Sequence, residues 1–313
     1  MADFYSDIYN QETKERFMDS INLDQYPPRW WERVFEKSYF FEKLKDKDLH
    51  SFSTPDIIEF YKFLDVGTLT PLIIYNTNLL RYAQWALNEG LVFDGQNHFD
   101  EFDTELLATC VSMVKKKQSI LSYDDFLNLM YRRIINYQDR FIFFCLFEGI
   151  KGKNYQDIID MKMEDIDKKN RVVHLQSGKD VCVPQDFVDI AAEADKQTVY
   201  TGLTDSNFEI QLIPSLTIYK QKNNSQGSDP NRTIYNTIVR NINAIDELSE
   251  VITSKSIRDS GLIHYLNQRA DKLHTTVEEM FVTCDNCRDI LEKYNLNPMT
   301  RKRWRIQYKE FLR

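Results

Sequence analysis

The sequence predicts a mainly α protein with one small β-hairpin, an α+β chain built as two helical domains. Three observations carry this. Only nine Gly and eight Pro stand among 313 residues that are 13% aromatic, so long stretches lack the punctuation that turns demand. Apolar residues recur at helical spacing through most of the chain. Period-two alternation is concentrated in one stretch, residues 171–184, and reads as a hairpin.

Composition bounds the rest. The length suffices for two domains, each with its own core. With 42% hydrophobic and 28% charged residues, the chain is globular rather than disordered. The most apolar run, residues 141–147, is too short to span a membrane and belongs in a core. The start, Met1-Ala2-Asp3-Phe4-Tyr5, lacks the basic and apolar regions of an export signal. Five scattered cysteines point to a reducing cytoplasm. The net charge of −8 argues mildly against nucleic acid, but a phosphate backbone responds to a local patch. Residues 301–313 carry six basic side chains and one acid, read either as such a patch or as a solvated amphipathic helix.

Residues 1–95 form the first predicted domain. Residues 8–18 suit a short helix, and Pro27-Pro28 breaks the chain. A long amphipathic helix over 30–44 places Trp31, Val34, Phe35 and Phe41 on one side. Ser53-Thr54-Pro55-Asp56 supplies an N-cap with an early proline for a helix to residue 64. Thr70-Pro71 opens another, 72–88, which Gly90 stops. Residues 96–119 are expected to be a linker, with the acidic run 100–103 and the triplet Lys115-Lys116-Lys117.

The second domain, 120–313, opens at Ser122-Tyr123-Asp124-Asp125, an N-cap with carboxylates at the positive end of the helix dipole. An apolar core helix over 139–147 follows, then a polar loop over 149–154 and a helix over 155–161. Glu164-Asp165-Ile166-Asp167 turns into the strand 171–175. Gly178-Lys179 turns the chain back through 181–184. A polar loop, 222–231, interrupts a helical remainder.

Residues 254–294 are the most informative. Ser254-Lys255-Ser256-Ile257-Arg258-Asp259-Ser260 opens an apolar helical run. Cys284-Asp285-Asn286-Cys287 and Leu291-Glu292-Lys293-Tyr294 follow. This resembles the second half of the tyrosine recombinase (phage integrase) catalytic domain, in which His-x-Leu-Arg-His precedes Gly-His, and a nucleophilic Tyr follows that His by nine residues. Arg258 matches the motif arginine, and Tyr294 stands nine residues after Asp285. The words Phe147-Glu148-Gly149-Ile150-Lys151-Gly152, Met163-Glu164-Asp165-Ile166-Asp167 and Leu291-Glu292-Lys293-Tyr294-Asn295-Leu296 look like the MrpR-type lytic-cycle repressors of SPβ-like prophages. The resemblance implies a helical core-binding domain followed by a degenerate catalytic-like domain.

The departures bear on chemistry. Strand transfer needs two arginines, assisted by histidine or lysine, to balance the phosphate's developing charge while Tyr attacks. The first arginine's position falls on Asn154 without a gap and on Lys151 with a short insertion, and neither supplies a guanidinium fork. Lys255 stands in place of the motif histidine. Asp259 and Asp285 bring the wrong sign. Lys151, Asn154, Lys255, Asp285 and Tyr294 are therefore read as degenerate catalytic positions, with Tyr294 a buried anchor. Cys284 and Cys287 lack a second ligand pair, so neither metal nor cofactor is called for.

The resemblance implies a sequence-specific repressor that binds double-stranded operator DNA, maintains lysogeny and does not cut. Lys179, Lys255, Arg258, Arg301, Lys302, Arg303 and Arg305 are its candidate phosphate contacts. Asn76, Asn78 and Arg81 are candidates for phosphates or base edges. Lys179 and Arg258 sit at matching family positions. A phage regulatory protein or peptide and oligomers on DNA are further expected partners, in a cytoplasmic, nucleoid-associated setting. Two alternatives stand beside it: an active recombinase using Tyr294, and a protein-interaction module without DNA binding.

Overall fold

In the computed structural model, which describes residues 8–21, 28–202, 209–245, 251–283 and 285–313, the chain divides into two units. The first is Met1–Lys116 with Arg303–Gln307, and the second is Lys117–Lys302 with Tyr308–Arg313. Fifteen α-helices and five short strands are seen among the described residues.

The first unit contains α1 (Gln11–Ser20), α2 (Pro28–Lys45), α3 (Thr54–Phe63), α4 (Leu69–Asn88) and α5 (Thr104–Thr109); α6 (Met113–Ser119) carries the chain onward. Pro27 of the expected Pro27-Pro28 break lies outside the described residues, and α2 starts at Pro28. The Asp56 carboxylate starts α3 by accepting from both the Ser53 N–H at 3.2 Å and the Ser53 hydroxyl at 2.7 Å. Beyond α4, Gly90 adopts φ +72°, a conformation that costs glycine least.

Trp31, Val34, Phe35 and Phe41 are all buried, so the amphipathic reading of α2 is correct. Phe17 packs edge-on against Trp31 at 4.8 Å and Tyr82 at 5.0 Å between ring centroids. Each such ring withdraws enough apolar surface to contribute about 1.5–3 kcal/mol. Beside them lies a buried ionic group. Lys14 Nζ stands 2.6 Å from Glu42 and 3.6 Å from Asp48, and the Ser38 hydroxyl donates to Glu42 at 2.8 Å.

Two expectations need correction here. Residues 96–116 are not a linker: Phe99, Phe102, Leu107, Cys110 and Val111 belong to the first unit's core, and Lys116 is itself buried. Burial of these apolar side chains overrides the polar composition around them. Asn76 is not a surface contact. It faces inward at helical spacing between Leu72 and Leu79, where its carbonyl oxygen accepts from the Tyr61 hydroxyl at 2.8 Å and its amide donates to Phe99 O at 3.3 Å.

The second unit is built around α8 (Tyr137–Phe147), whose last seven residues, Phe141 to Phe147, are fully buried. Helices α7 (Tyr123–Arg132) and α9 (Gln156–Ile159) flank it in sequence, and α10 (Gln185–Lys196) packs on it. The expected hairpin is one side of a three-stranded antiparallel sheet: β1 (Ile166–Asp167), β2 (Val172–His174) and β3 (Asp180–Cys182). Val173 pairs with Val181 and Ile166 with Val173, which places the alternating apolar residues on one buried face. The Asp165-Ile166-Asp167 stretch thus enters a strand. A second hairpin, β4 (Val199–Thr201) with β5 (Glu209–Gln211), goes unread in the sequence.

Helices α11 (Pro230–Asn243), α12 (Ser254–Leu273), α13 (Val277–Thr283), α14 (Arg288–Lys293) and α15 (Pro298–Tyr308) complete the chain. Both α11 and α12 pack on α8. No helix of the described residues is long and apolar enough to cross a membrane.

Candidate nucleic-acid interface

The start of α12 fixes the central side chain. Thr253 is its N-cap: the Thr253 hydroxyl accepts from Ser256 N at 3.1 Å, while Thr253 N donates to the Ser256 hydroxyl oxygen at 2.8 Å. One turn later Arg258 turns inward, half-buried. Its Nε is fully buried, with no hydrogen-bond acceptor among the described residues. Burial holds the Arg258 guanidinium below its ordinary range, against the attraction of Asp259.

Lys151 is the second cation of this site. Burial and then the nearby Arg258 charge both lower its ammonium, and Nζ rests over the Tyr155 ring at 4.8 Å. The sequence left Lys151 and Asn154 open as the first cationic position. The structure brings Lys151 toward Arg258, whereas Asn154 is exposed at φ +53°. Like charges that are both partly withdrawn from water repel, and a nearby anion would relieve that repulsion.

The expected wrong-sign charges are engaged elsewhere. The Asp259 carboxylate accepts from Lys255 at 2.5 Å and from the Tyr308 hydroxyl at 2.6 Å, so α12 uses it to hold the end of α15. Lys255 is therefore ion-paired, although its side chain stays 55% exposed. Asp285 is exposed and paired with Arg288 at 2.8 Å. Cys284 lies outside the described residues, Cys287 is buried, and no cluster able to hold a metal is present among the described residues.

Tyr294 closes α14 from inside. It is 1% exposed, and its hydroxyl donates to the Phe147 carbonyl. A Cβ on Gly149 would meet the Tyr294 ring at 3.0 Å, and one on Gly261 would meet Phe147 O at 1.8 Å and the Tyr294 hydroxyl oxygen at 2.6 Å. Burial, and then the Glu148 carboxylate, push the phenol well above its ordinary pKa. Glu148 was not anticipated as a site residue. Fully buried, it accepts from the Tyr265 hydroxyl at 2.6 Å and Lys293 Nζ at 2.7 Å. Its place in the Phe147-Glu148-Gly149 word was the available signal.

Lys179 reaches from the β2–β3 turn to Asn295 Oδ1 and, at 3.4 Å, to the Glu292 carbonyl. Lys293 reaches back to the Cys182 carbonyl at 3.0 Å. The two lysines clasp hairpin and α14, Lys179 through neutral acceptors only and Lys293 while also paired with Glu148. Of the remaining candidates, Arg301 Nε donates to Leu296 O at 3.1 Å. Lys302 and Arg303 are exposed and Arg305 half-buried. On α4, Asn78 donates to Ile74 O at 2.7 Å, and Arg81 is exposed.

Two stretches of the chain match known domain families. Residues 8–88 match the MrpR N-terminal core-binding domain, and residues 120–313 match the MrpR C-terminal catalytic domain. The chain belongs to the MrpR family. It is also similar to the SPbeta prophage-derived uncharacterized protein YopR of Bacillus subtilis (strain 168), with 24% identity over 273 residues, 82% of this chain and 81% of that protein. The MrpR architecture, a core-binding domain followed by a catalytic-type domain, resembles that of tyrosine recombinases. This chain is accordingly a phage-related, recombinase-like member of the MrpR family.

Proposed function

We propose that this MrpR-family chain is a sequence-specific DNA-binding repressor that maintains a prophage by occupying operators of lytic genes, and that it does not cut DNA. Arg258 carries the reading: a half-buried guanidinium whose Nε has no acceptor among the described residues suits a backbone phosphate. The half-buried Lys151, which feels the Arg258 charge, adds a second positive charge. The prophage origin of the Bacillus subtilis relative supports the phage setting.

In this reading Lys179 exchanges its neutral acceptors for a second phosphate. Lys255, Arg301, Lys302, Arg303 and Arg305 supply weaker, salt-screened contacts. Asn78 and Arg81 remain the first unit's candidates for phosphates or base edges, and Asn76 supports their helix from within. Tyrosine attack needs an exposed phenol near a base. Tyr294 instead donates its hydrogen bond to a backbone carbonyl inside the core and keeps its proton. The setting is the bacterial cytoplasm, at the nucleoid.

The test is a salt titration of binding to fragments of a related prophage genome, with a nicked suicide substrate in parallel. Site-selective, salt-sensitive binding without a covalent adduct supports a repressor. An adduct that Tyr294→Phe abolishes establishes an active recombinase instead.

A further inference from the structure

The polar loop that starts at residue 222 has an anchor the sequence does not reveal. Lys222 pairs as an isolated antiparallel bridge with Leu212, and its side chain folds inward until Nζ lies 3.5 Å from the centre of the Tyr200 ring. The residue is only 8% exposed. Among the described residues no acceptor is within hydrogen-bond distance of that ammonium.

A second cation shares the same ring. Arg240, on α11, places its guanidinium carbon 5.3 Å from the Tyr200 centroid and donates to the Tyr200 hydroxyl. Its Nε is buried and unpartnered, yet the side chain is 40% exposed, so the cluster opens to solvent along Arg240. One buried carboxylate, Asp139, faces both. Its Oδ2 already accepts from Tyr200, from Asn241 at 2.9 Å and from Arg240 at 3.4 Å. Two positive charges therefore share one committed negative charge. Withdrawing an ammonium from most of its water without an acceptor is costly, and a further negative charge beside it would offset that cost.

We propose that Lys222 and Arg240 form a second anion site in the second unit, distinct from Lys151 and Arg258, which takes a phosphate-class anion. A tetrahedral anion can face a point-charge ammonium and a planar fork from different directions, which the two coplanar oxygens of a carboxylate do less well. Burial holds the Lys222 ammonium down to about 8 against the attraction of Asp139. At pH 7 it remains charged and ready for such a partner. The phosphate can come from a DNA backbone or from a free phosphate-bearing small molecule.

The experiment is thermal unfolding of the full chain at pH 7 in inorganic phosphate, against chloride at matched ionic strength. Phosphate is expected to raise Tm beyond the chloride control. Lys222→Met should remove part of that excess, and Lys151→Met should leave that part in place. Lys222→Gln, which keeps a polar tip, serves if the Met variant fails to fold. An undiminished phosphate excess in the Lys222 variant, or no excess in the parent chain, overturns the proposal. The source is then read from the salt slope of DNA binding. A slope shallower by about one unit in Lys222→Met assigns a backbone phosphate, and an unchanged slope assigns a free molecule. A chain that binds no DNA defeats the repressor reading while leaving the phosphate result intact.

Discussion

The Tyr294 hydroxyl donates a hydrogen bond to the Phe147 carbonyl, joining the position of a recombinase nucleophile to the last turn of the second unit's core helix. Gly149 and Gly261 line that contact with no room for a side chain. The tyrosine is held as a core residue.

Tyr294→Phe should keep the ring and lose the hydrogen bond. Leaving the Phe147 carbonyl unpaired costs about 1–3 kcal/mol, read as a lower denaturant midpoint with an unchanged m-value. DNA affinity should stay the same. A variant of parental stability that binds DNA poorly would place the hydroxyl at the interface instead.

Gly261→Ala should be far more damaging than its size suggests. Its Cβ would stand 1.8 Å from Phe147 O, so two packed helices must separate, and a loss above about 3 kcal/mol is expected. At Gly178, where φ is +80° and nothing lies within 4 Å of a Cβ, alanine should cost about 1 kcal/mol. Equal urea midpoints for the two variants would contradict the tight approach of α8 and α12.

Asn76→Ala and Arg81→Ala should separate stability from binding. The first strands the Tyr61 hydroxyl and takes one of two donors from the Phe99 carbonyl, and should cost about 1–3 kcal/mol. The second should leave stability within about 0.5 kcal/mol and weaken DNA binding. Paired melts and gel shifts decide the matter, and a destabilised Arg81 variant with normal binding would reverse the assignment.

Asp56 should govern part of the acid stability of the first unit. Although burial raises it, the Ser53 hydroxyl and N–H, with Lys45 and Lys47, hold its carboxyl down to about 2 from an ordinary value of 3.8. A depressed carboxyl stabilises the fold above its unfolded pKa, and this contribution is lost as pH falls through about 4 toward 2. Partial solvent screening leaves about 1–2 kcal/mol. Asp56→Asn should flatten the fall in stability over that interval, and an unchanged pH profile would rule the carboxylate out.

The spacing from Asp285 to Tyr294 and the apolar α8 are visible in the sequence, whereas the cap at Thr253 goes unread there. The burial of Tyr294 is expected from the sequence too, but the contact that fixes it, with the Phe147 carbonyl between two glycines far upstream, is not visible there. The choice between Lys151 and Asn154 is also a tertiary matter: the Arg258 charge is felt at Lys151, while Asn154 is exposed. Asn76 was legible in principle: it occupies the Leu72–Leu79 face, and the helical period outranks its polarity. Asp259 shows the reverse case. Its charge looks hostile to a phosphate until the Tyr308 hydroxyl and Lys255 engage it, and those contacts join residues far apart in sequence.

The most direct measurement is the salt dependence of binding to one prophage operator fragment for the parent chain, Lys151→Met and Arg258→Ala, with a covalent-adduct assay on the same samples. Each variant should bind all sequences more weakly and lower the slope of log K against log salt by about one unit, and no adduct should form in any sample. Unchanged slopes in both variants would remove the two cations from the DNA interface, and an adduct in the parent chain would contradict a walled-off Tyr294.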